Sequence, residues 1–146
     1  MSTENKRVIS RSTIVPASAA DIFNLLADPR RHSEIDGSGS VKNAQMNAPE
    51  RLSLGAQFGM DMRIVVPYKI MNTVVEFEEG HRIAWRHFGG HVWRYTLEPV
   101  QGGTKVTEEF DSTNSKSQLM LKIMNAHANN AKAIEKTLEN LVKRFA

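Results

Sequence analysis

The sequence predicts an α+β chain in which seven antiparallel strands wrap around one long C-terminal helix, with two short helices between the first and second strands. Three observations lead there. Turn signals at Asn47-Ala48-Pro49, Pro67, Glu79-Gly80, Gly89-Gly90 and Gln101-Gly102-Gly103 cut the middle of the chain into segments of strand length. After Asp111 the period changes: Met120, Met124, His127, Ala131, Ile134, Leu138, Leu141 and Phe145 recur at intervals of three or four, the stripe of an amphipathic helix. An antiparallel sheet with one apolar face must bury that face, and this helix is the only large partner available.

Lys6 to Val15 is rich in β-branched residues and stops at Pro16, which predicts the first strand. Ser18 and Asp21 form a short capping signal for a helix whose apolar side is Ile22, Phe23, Leu25 and Leu26. Asp28 as a cap and Pro29 at the first helical position start a second short helix through Ile35, followed by the loop Asp36-Gly37-Ser38-Gly39-Ser40. Strands are expected near 41–47, 55–65, 68–78, 81–88, 91–98 and 104–111, and the last helix from about Ser115 to Phe145. Ser115 and Gln118 supply its cap, and Asn125, Asn129 and Asn130 predict a bend or a frayed turn within it.

With 146 residues the chain reads as one domain, 1–146, large enough for a core without metal or disulfide staples. It has no cysteine, which excludes thiol nucleophiles, zinc ribbons and disulfide scaffolds. No apolar run reaches the roughly 18 residues of a membrane helix, and Met1 to Arg11 lacks an export core. A soluble, cytoplasmic protein with no membrane insertion is expected, either a monomer or a homodimer. Nineteen Lys+Arg against sixteen Asp+Glu leave a net charge of +3, but the basic residues are scattered and not interleaved with aromatics, so no nucleic-acid partner is expected.

Strand parity selects the residues that face the helix. A three-residue Phe88-Gly89-Gly90 loop, with glycine in the left-handed position, places His87 opposite His91 and Trp85 opposite Trp93. One face then carries Ile83, Trp85, His87, His91, Trp93, Tyr95 and Leu97, and the other Arg82, Ala84, Arg86, Arg94, Thr96 and Glu98. By the same rule Ala56, Phe58, Met60 and Met62 face inward from the third strand, and Thr104, Val106, Glu108 and Phe110 from the last. The aromatic rings, with the soft side chains of Met60, Met62, Met120 and Met124 and with His127 on the helix stripe, compose a lining suited to an irregular apolar ligand or to a filled core.

Glu108 is the anomaly. An inward carboxylate between Val106 and Phe110 needs a partner or a proton, so it reads as an acid/base or ligand contact, as one half of a structural pair with Tyr95, Thr104 or a buried water, or as a residue that a bulge turns outward. His87 and His91 are the other titratable groups of that face. No metal-binding spacing is present, so neither metal nor cofactor is expected.

The order of elements, with the segments Asp28–Gly37, Arg82–Arg86, His91–Pro99 and Gly102–Asp111, resembles the helix-grip (SRPBCC) superfamily. That superfamily includes START domains, the birch-pollen allergen and the bacterial polyketide cyclase/dehydrase-like proteins, and the chain is most similar to the last group. The resemblance implies a hydrophobic small molecule (lipid, polyketide or aromatic metabolite) held between sheet and C-terminal helix, by a carrier or sensor. It also leaves open a cyclase or dehydratase using Glu108 with His87 or His91. It places the loops 36–40, Val66-Pro67, 88–90 and 111–115 around the mouth of the site.

Overall fold

The computed structural model describes residues 7–38, 41–44, 48–63, 67–87, 89–123 and 125–146. Strand β1 (Val8–Val15) ends where Pro16 removes a donor. Helix α1 (Ala19–Leu26) starts on Ser18, whose Oγ accepts from the Asp21 N–H at 3.1 Å, and buries Ile22, Phe23, Leu25 and Leu26. Asp28 then caps a single 3₁₀ turn (Pro29–Arg31), accepting from the Arg30 N–H at 3.0 Å, and the chain continues into α2 (His32–Ile35). Strands β2 (Val41–Ala44), β3 (Gln57–Arg63), β4 (Pro67–Glu78), β5 (Arg82–His87), β6 (Val92–Val100) and β7 (Gly103–Asp111) form the meander. All seven strands join one antiparallel sheet in the order β1-β7-β6-β5-β4-β3-β2.

The first strand therefore closes against the last, and the sheet curves around the C-terminal helix. A bulge in β4 between Val74 and Glu76 keeps both halves of that strand in phase: Val74 opposes Trp85 on the inner face, and Glu76 opposes Ala84 on the outer. The β5–β6 turn has the expected three-residue form. The His87 N–H donates to the His91 carbonyl at 2.9 Å, Gly90 has φ of 97°, and Trp85 lies opposite Trp93.

The C-terminal element differs from the single helix expected from about Ser115. Helix α3 (Gln118–Ile123) is capped by Ser117, whose Oγ accepts from the Met120 N–H at 3.1 Å. Asn125 then adopts a left-handed conformation, with φ of 52°, and α4 (Ala126–Phe145) begins after it. Asparagine tolerates that conformation better than most residues, so the bend anticipated from the asparagines is a full break. The axis turns there, and residues before it lose phase with those after it. Met120, expected to face inward, is 54% exposed, while Leu121 packs on the core in its place.

Helix α4 lies across the inner face through Ile134, Leu138 and Leu141. Its grip is secured from α2: the Gly37 N–H donates to Thr137 Oγ1 at 2.8 Å and Asn140 Nδ2 donates to the Ile35 carbonyl at 3.1 Å. A side chain at Gly37 would collide with the Ala133 carbonyl oxygen and the Thr137 backbone, so only glycine permits this approach.

Candidate functional site

The inner face of the sheet holds two aromatic groups at different depths. In the deeper one, Trp85 stacks on His32 with ring centroids 4.9 Å apart and an interplanar angle of 19°. Phe58 meets both rings edge-on at 5.6 and 5.7 Å, and Tyr95 tilts against Trp85 at 5.8 Å. Tyr95 is directly opposite Glu108 in the β6–β7 ladder, so their side chains rise together from one face. Glu108 is only 4% exposed, and its Oε1 has no hydrogen-bond partner among the described residues.

Electrostatics follow from that placement. Burial, reinforced by the negative charge of Asp36 and opposed by the Tyr95 hydroxyl, pushes the Glu108 carboxyl up from 4.5 to about 8. The Tyr95 phenol is held well above its ordinary range, first by burial and then by the charge of Glu108. His32 is pushed down by burial and stays neutral, its Nε2 bonded to the Leu26 carbonyl at 2.8 Å. At neutral pH this end of the interior therefore presents a carboxylic acid, a phenol and an uncharged imidazole.

The second group lies at the β5–β6 hairpin. The His87 and His91 rings stack at 4.4 Å, and His91 tilts against Phe110 at 5.1 Å. Phe110 also meets Trp93 at 5.0 Å and the edge of His127 at 5.7 Å. Burial, with the neighbouring His87 charge, lowers His91 from 6.5 to about 4, and burial lowers His87 as well. The Gly89 N–H donates to His87 Nδ1 at 3.0 Å, which leaves the neutral ring's proton on Nε2. His127 Nε2 bonds Ser112 Oγ at 2.9 Å, and that hydroxyl donates to the Arg7 carbonyl at 2.8 Å. The Ser112 hydroxyl therefore ties the end of β7 to α4 through His127 and to the residue before β1 through the Arg7 carbonyl, and is not a nucleophile with its base: its hydrogen is already committed to a carbonyl.

The expected inward set is thus distributed unevenly. Phe58, Met60, Trp85, Tyr95, Glu108 and Phe110 are buried on the inner face, while Trp93, His87, His91 and His127 are half-buried toward the hairpin. Met120 is displaced to the surface by the helix break, Met62 carries a backbone in register with Tyr68 but lies outside the described side chains, and Met124 lies outside the described residues. Of the expected mouth loops, Gly39, Ser40, Val66 and Phe88 also lie outside the described residues. His91, just before β6, and Tyr95 within it are four residues apart, about 13 Å of extended chain at roughly 3.3 Å per residue, so Glu108 and the histidine pair occupy separate ends of the interior.

His32 was not anticipated as part of the site. Its signal lay in spacing: Pro29, His32 and Ile35 recur every three residues, and all are buried on one side of the short helical stretch.

Two grooves open elsewhere. One of about 820 Å³ runs over the outer face, bordered by Met71, Val75, Arg86, Val92, Arg94 and Asp111. There Arg94 holds Glu76 through Nε and Nη2, at 3.0 and 2.7 Å to Oε2, with Glu109 and Asp111 within 3.9 and 3.6 Å, so its charge is answered inside the protein. The other, of about 310 Å³, lies at the α3–α4 break beside Leu121, Asn125 and His127, next to the ring that meets Phe110. Among the described residues no cluster of three His, Asp or Glu side chains is placed to hold a metal ion, and no helix is long and apolar enough to cross a membrane.

A seven-stranded sheet gripping a C-terminal helix, with two short helices closing one end of an aromatic interior, defines the helix-grip class. Residues 6–146 match the family described as polyketide cyclase / dehydrase and lipid transport, and the chain belongs to that family, whose fold is that of hydrophobic-ligand binding. It is 38% identical over 144 residues to an uncharacterised protein of Mycobacterium tuberculosis, across 94% of this chain and 64% of the relative. The chain thus spans less than two thirds of that relative's length. Among solved structures, a Mycobacterium smegmatis protein superposes with a TM-score of 0.68 at 18% identity, covering 94% of this chain and 92% of the other. A polyketide-cyclase-like protein of Corynebacterium glutamicum gives 0.63 at 19% identity, covering 98% and 91%. At such identities the likeness speaks to fold alone.

Proposed function

We propose that this chain binds a largely apolar small molecule, a lipid, polyketide or aromatic metabolite, between the sheet and α4, and acts as its carrier or sensor. The observation that carries this reading is Glu108, a buried carboxyl with one oxygen unpartnered among aromatic rings. An unsatisfied buried polar atom costs about 1–3 kcal/mol, and a ligand that supplies the missing partner recovers it. Phe58, Met60, Trp85, Tyr95 and Phe110 are the proposed walls, with Trp93, His91, His87 and His127 toward the hairpin and Met62 and Met124 completing the expected lining. A thermal-shift and native mass-spectrometry screen against lipids and polyphenols tests the reading. A ligand that binds only the folded state raises stability, by about 2.7 kcal/mol at a hundredfold excess over Kd. No shift and no adduct across the screen would remove it.

A second reading, a cyclase or dehydratase with Glu108 as acid/base, is favoured by the carboxyl's elevation to about 8, close to neutral pH where a proton can move either way. His87 and His91 would then act on a different part of an extended substrate. Glu108→Gln separates the two: an enzyme keeps binding and loses turnover, whereas a carrier has no turnover to lose.

A further inference from the structure

We infer that the interior selects flat, conjugated ligands bearing a neutral carbonyl oxygen and discriminates against carboxylates, with Glu108 donating one O–H to that oxygen and Tyr95, bonded to the same carboxyl, positioning it. The inference rests on the interior binding proposed above and specifies the ligand class.

The ladder places the two side chains side by side, Tyr95 directly across from Glu108, with Oε1 of the acid unpartnered. Beside them stands a planar surface: Trp85 tilted against Tyr95 and stacked on His32. A conjugated ring lying along that surface brings a carbonyl substituent to the acid. The Tyr95 hydroxyl is bonded to the Glu108 carboxyl, so the pair has one O–H left to offer a carbonyl oxygen, at the unpartnered Oε1.

The charged groups around Glu108 support the same selection. Across the β1–β7 ladder Arg11 is its direct neighbour, but that guanidinium is turned to Glu135 Oε1 at 3.2 Å on α4 and to the Ser10 carbonyl at 2.8 Å. From the end of α2, Asp36 contributes negative charge, which with burial keeps Glu108 protonated at neutral pH. His32 remains uncharged under the same burial, and α4 packs on the interior with Ile134 and Leu138. A ligand carboxylate would bring a second negative charge beside that of Asp36, away from water, with the nearest guanidinium already engaged. A ketone brings none.

Three probes of one shape test this: naphthalene, 2-acetylnaphthalene and 2-naphthoate, titrated against the whole chain by tryptophan fluorescence near neutral pH. The expected result is that the ketone binds about tenfold more tightly than naphthalene, the difference one good hydrogen bond provides, and that the carboxylate binds no better than naphthalene. Glu108→Leu should erase the ketone's advantage, while Glu108→Gln, which keeps an N–H donor, should retain most of it. Tyr95→Phe removes the hydroxyl that positions the carboxyl and should lower the ketone's preference without erasing it, whether or not the leucine variant folds. The wild-type preference should fall as Glu108 ionises near pH 8 and stay level in the glutamine variant. Equal binding of ketone and naphthalene, or tightest binding of the carboxylate, overturns the inference while leaving interior binding standing. Failure of all three probes to bind overturns both.

Discussion

Arg94 and Glu108 sit on neighbouring strands within one residue of each other's ladder partners, yet face opposite ways. On the outer face Arg94, with a side chain 19% exposed, is met by Glu76, Glu109 and Asp111. On the inner face Glu108 has its ladder partner Tyr95 but no partner for Oε1. The outer charges are paired within the protein and tie neighbouring strands together. The inner one is kept uncharged by its surroundings and retains an open hydrogen-bonding atom. A polar group that the fold has satisfied is structural; one the fold has left open inside an aromatic lining is where a ligand finds a use for it.

The largest expected effect breaks the outer half of that comparison. Arg94→Leu leaves Glu76, Glu109 and Asp111 facing one another without their shared cation, and should lower stability by about 2–3 kcal/mol in urea unfolding. A loss below about 0.5 kcal/mol would mean that solvent already screens this network.

Glu108→Gln sharpens the inner half. The folded carboxyl titrates at about 8, above its ordinary 4.5, so the folded state holds the extra proton between those values and wild-type stability falls as pH rises through that range. Between about pH 6.5 and 8 the decline is at most about 2 kcal/mol. The glutamine variant should show a flatter profile there, measured by thermal unfolding at a series of pH values.

His91→Gln acts in the opposite direction at the other end of the interior. His91 is lowered from 6.5 to about 4 when folded, so the unfolded chain binds the extra proton between those values and stability rises with pH. Removing the imidazole should cut that rise by about 1.5 kcal/mol between pH 5 and 6.5. Because Glu108 pulls the other way above pH 4.5, each variant should be compared with wild type at equal pH.

The smallest effect is expected at Met120→Gln. An exposed side chain on α3 should change stability by less than about 0.5 kcal/mol. A loss of 2 kcal/mol or more, the cost of truncating a core side chain, would instead return Met120 to the interior.

Much of the architecture was legible in the chain because strand parity is a local, two-residue rule and turn residues announce themselves. The glycine hairpin at 88–90 put Trp85, Trp93 and Tyr95 on one face, parity along the last strand pointed Glu108 to the same face, and the sheet bears this out through the Trp85–Trp93 and Tyr95–Glu108 pairs. The short helices were equally clear from Ser18, Asp28 and Pro29, whose side chains act within three residues of their own position.

Tertiary structure alone decided the rest. Helical periodicity assumes an unbroken axis, so a single left-handed residue, Asn125, was enough to carry Met120 out of the stripe it occupied on paper. The stacking of His32 on Trp85 joins residues far apart in sequence, which no local pattern encodes. The state of Glu108 depends on what surrounds it from other elements: Tyr95 from β6, the charge of Asp36 from the end of α2, and Arg11 of β1 turned away to Glu135. Strand parity by itself pointed Glu108 to the inward face but left open a bulge that would turn it out; only packing decided that it would stand buried and protonated, with an oxygen unpartnered, because desolvation and electrostatic influence are summed over space and not along the chain.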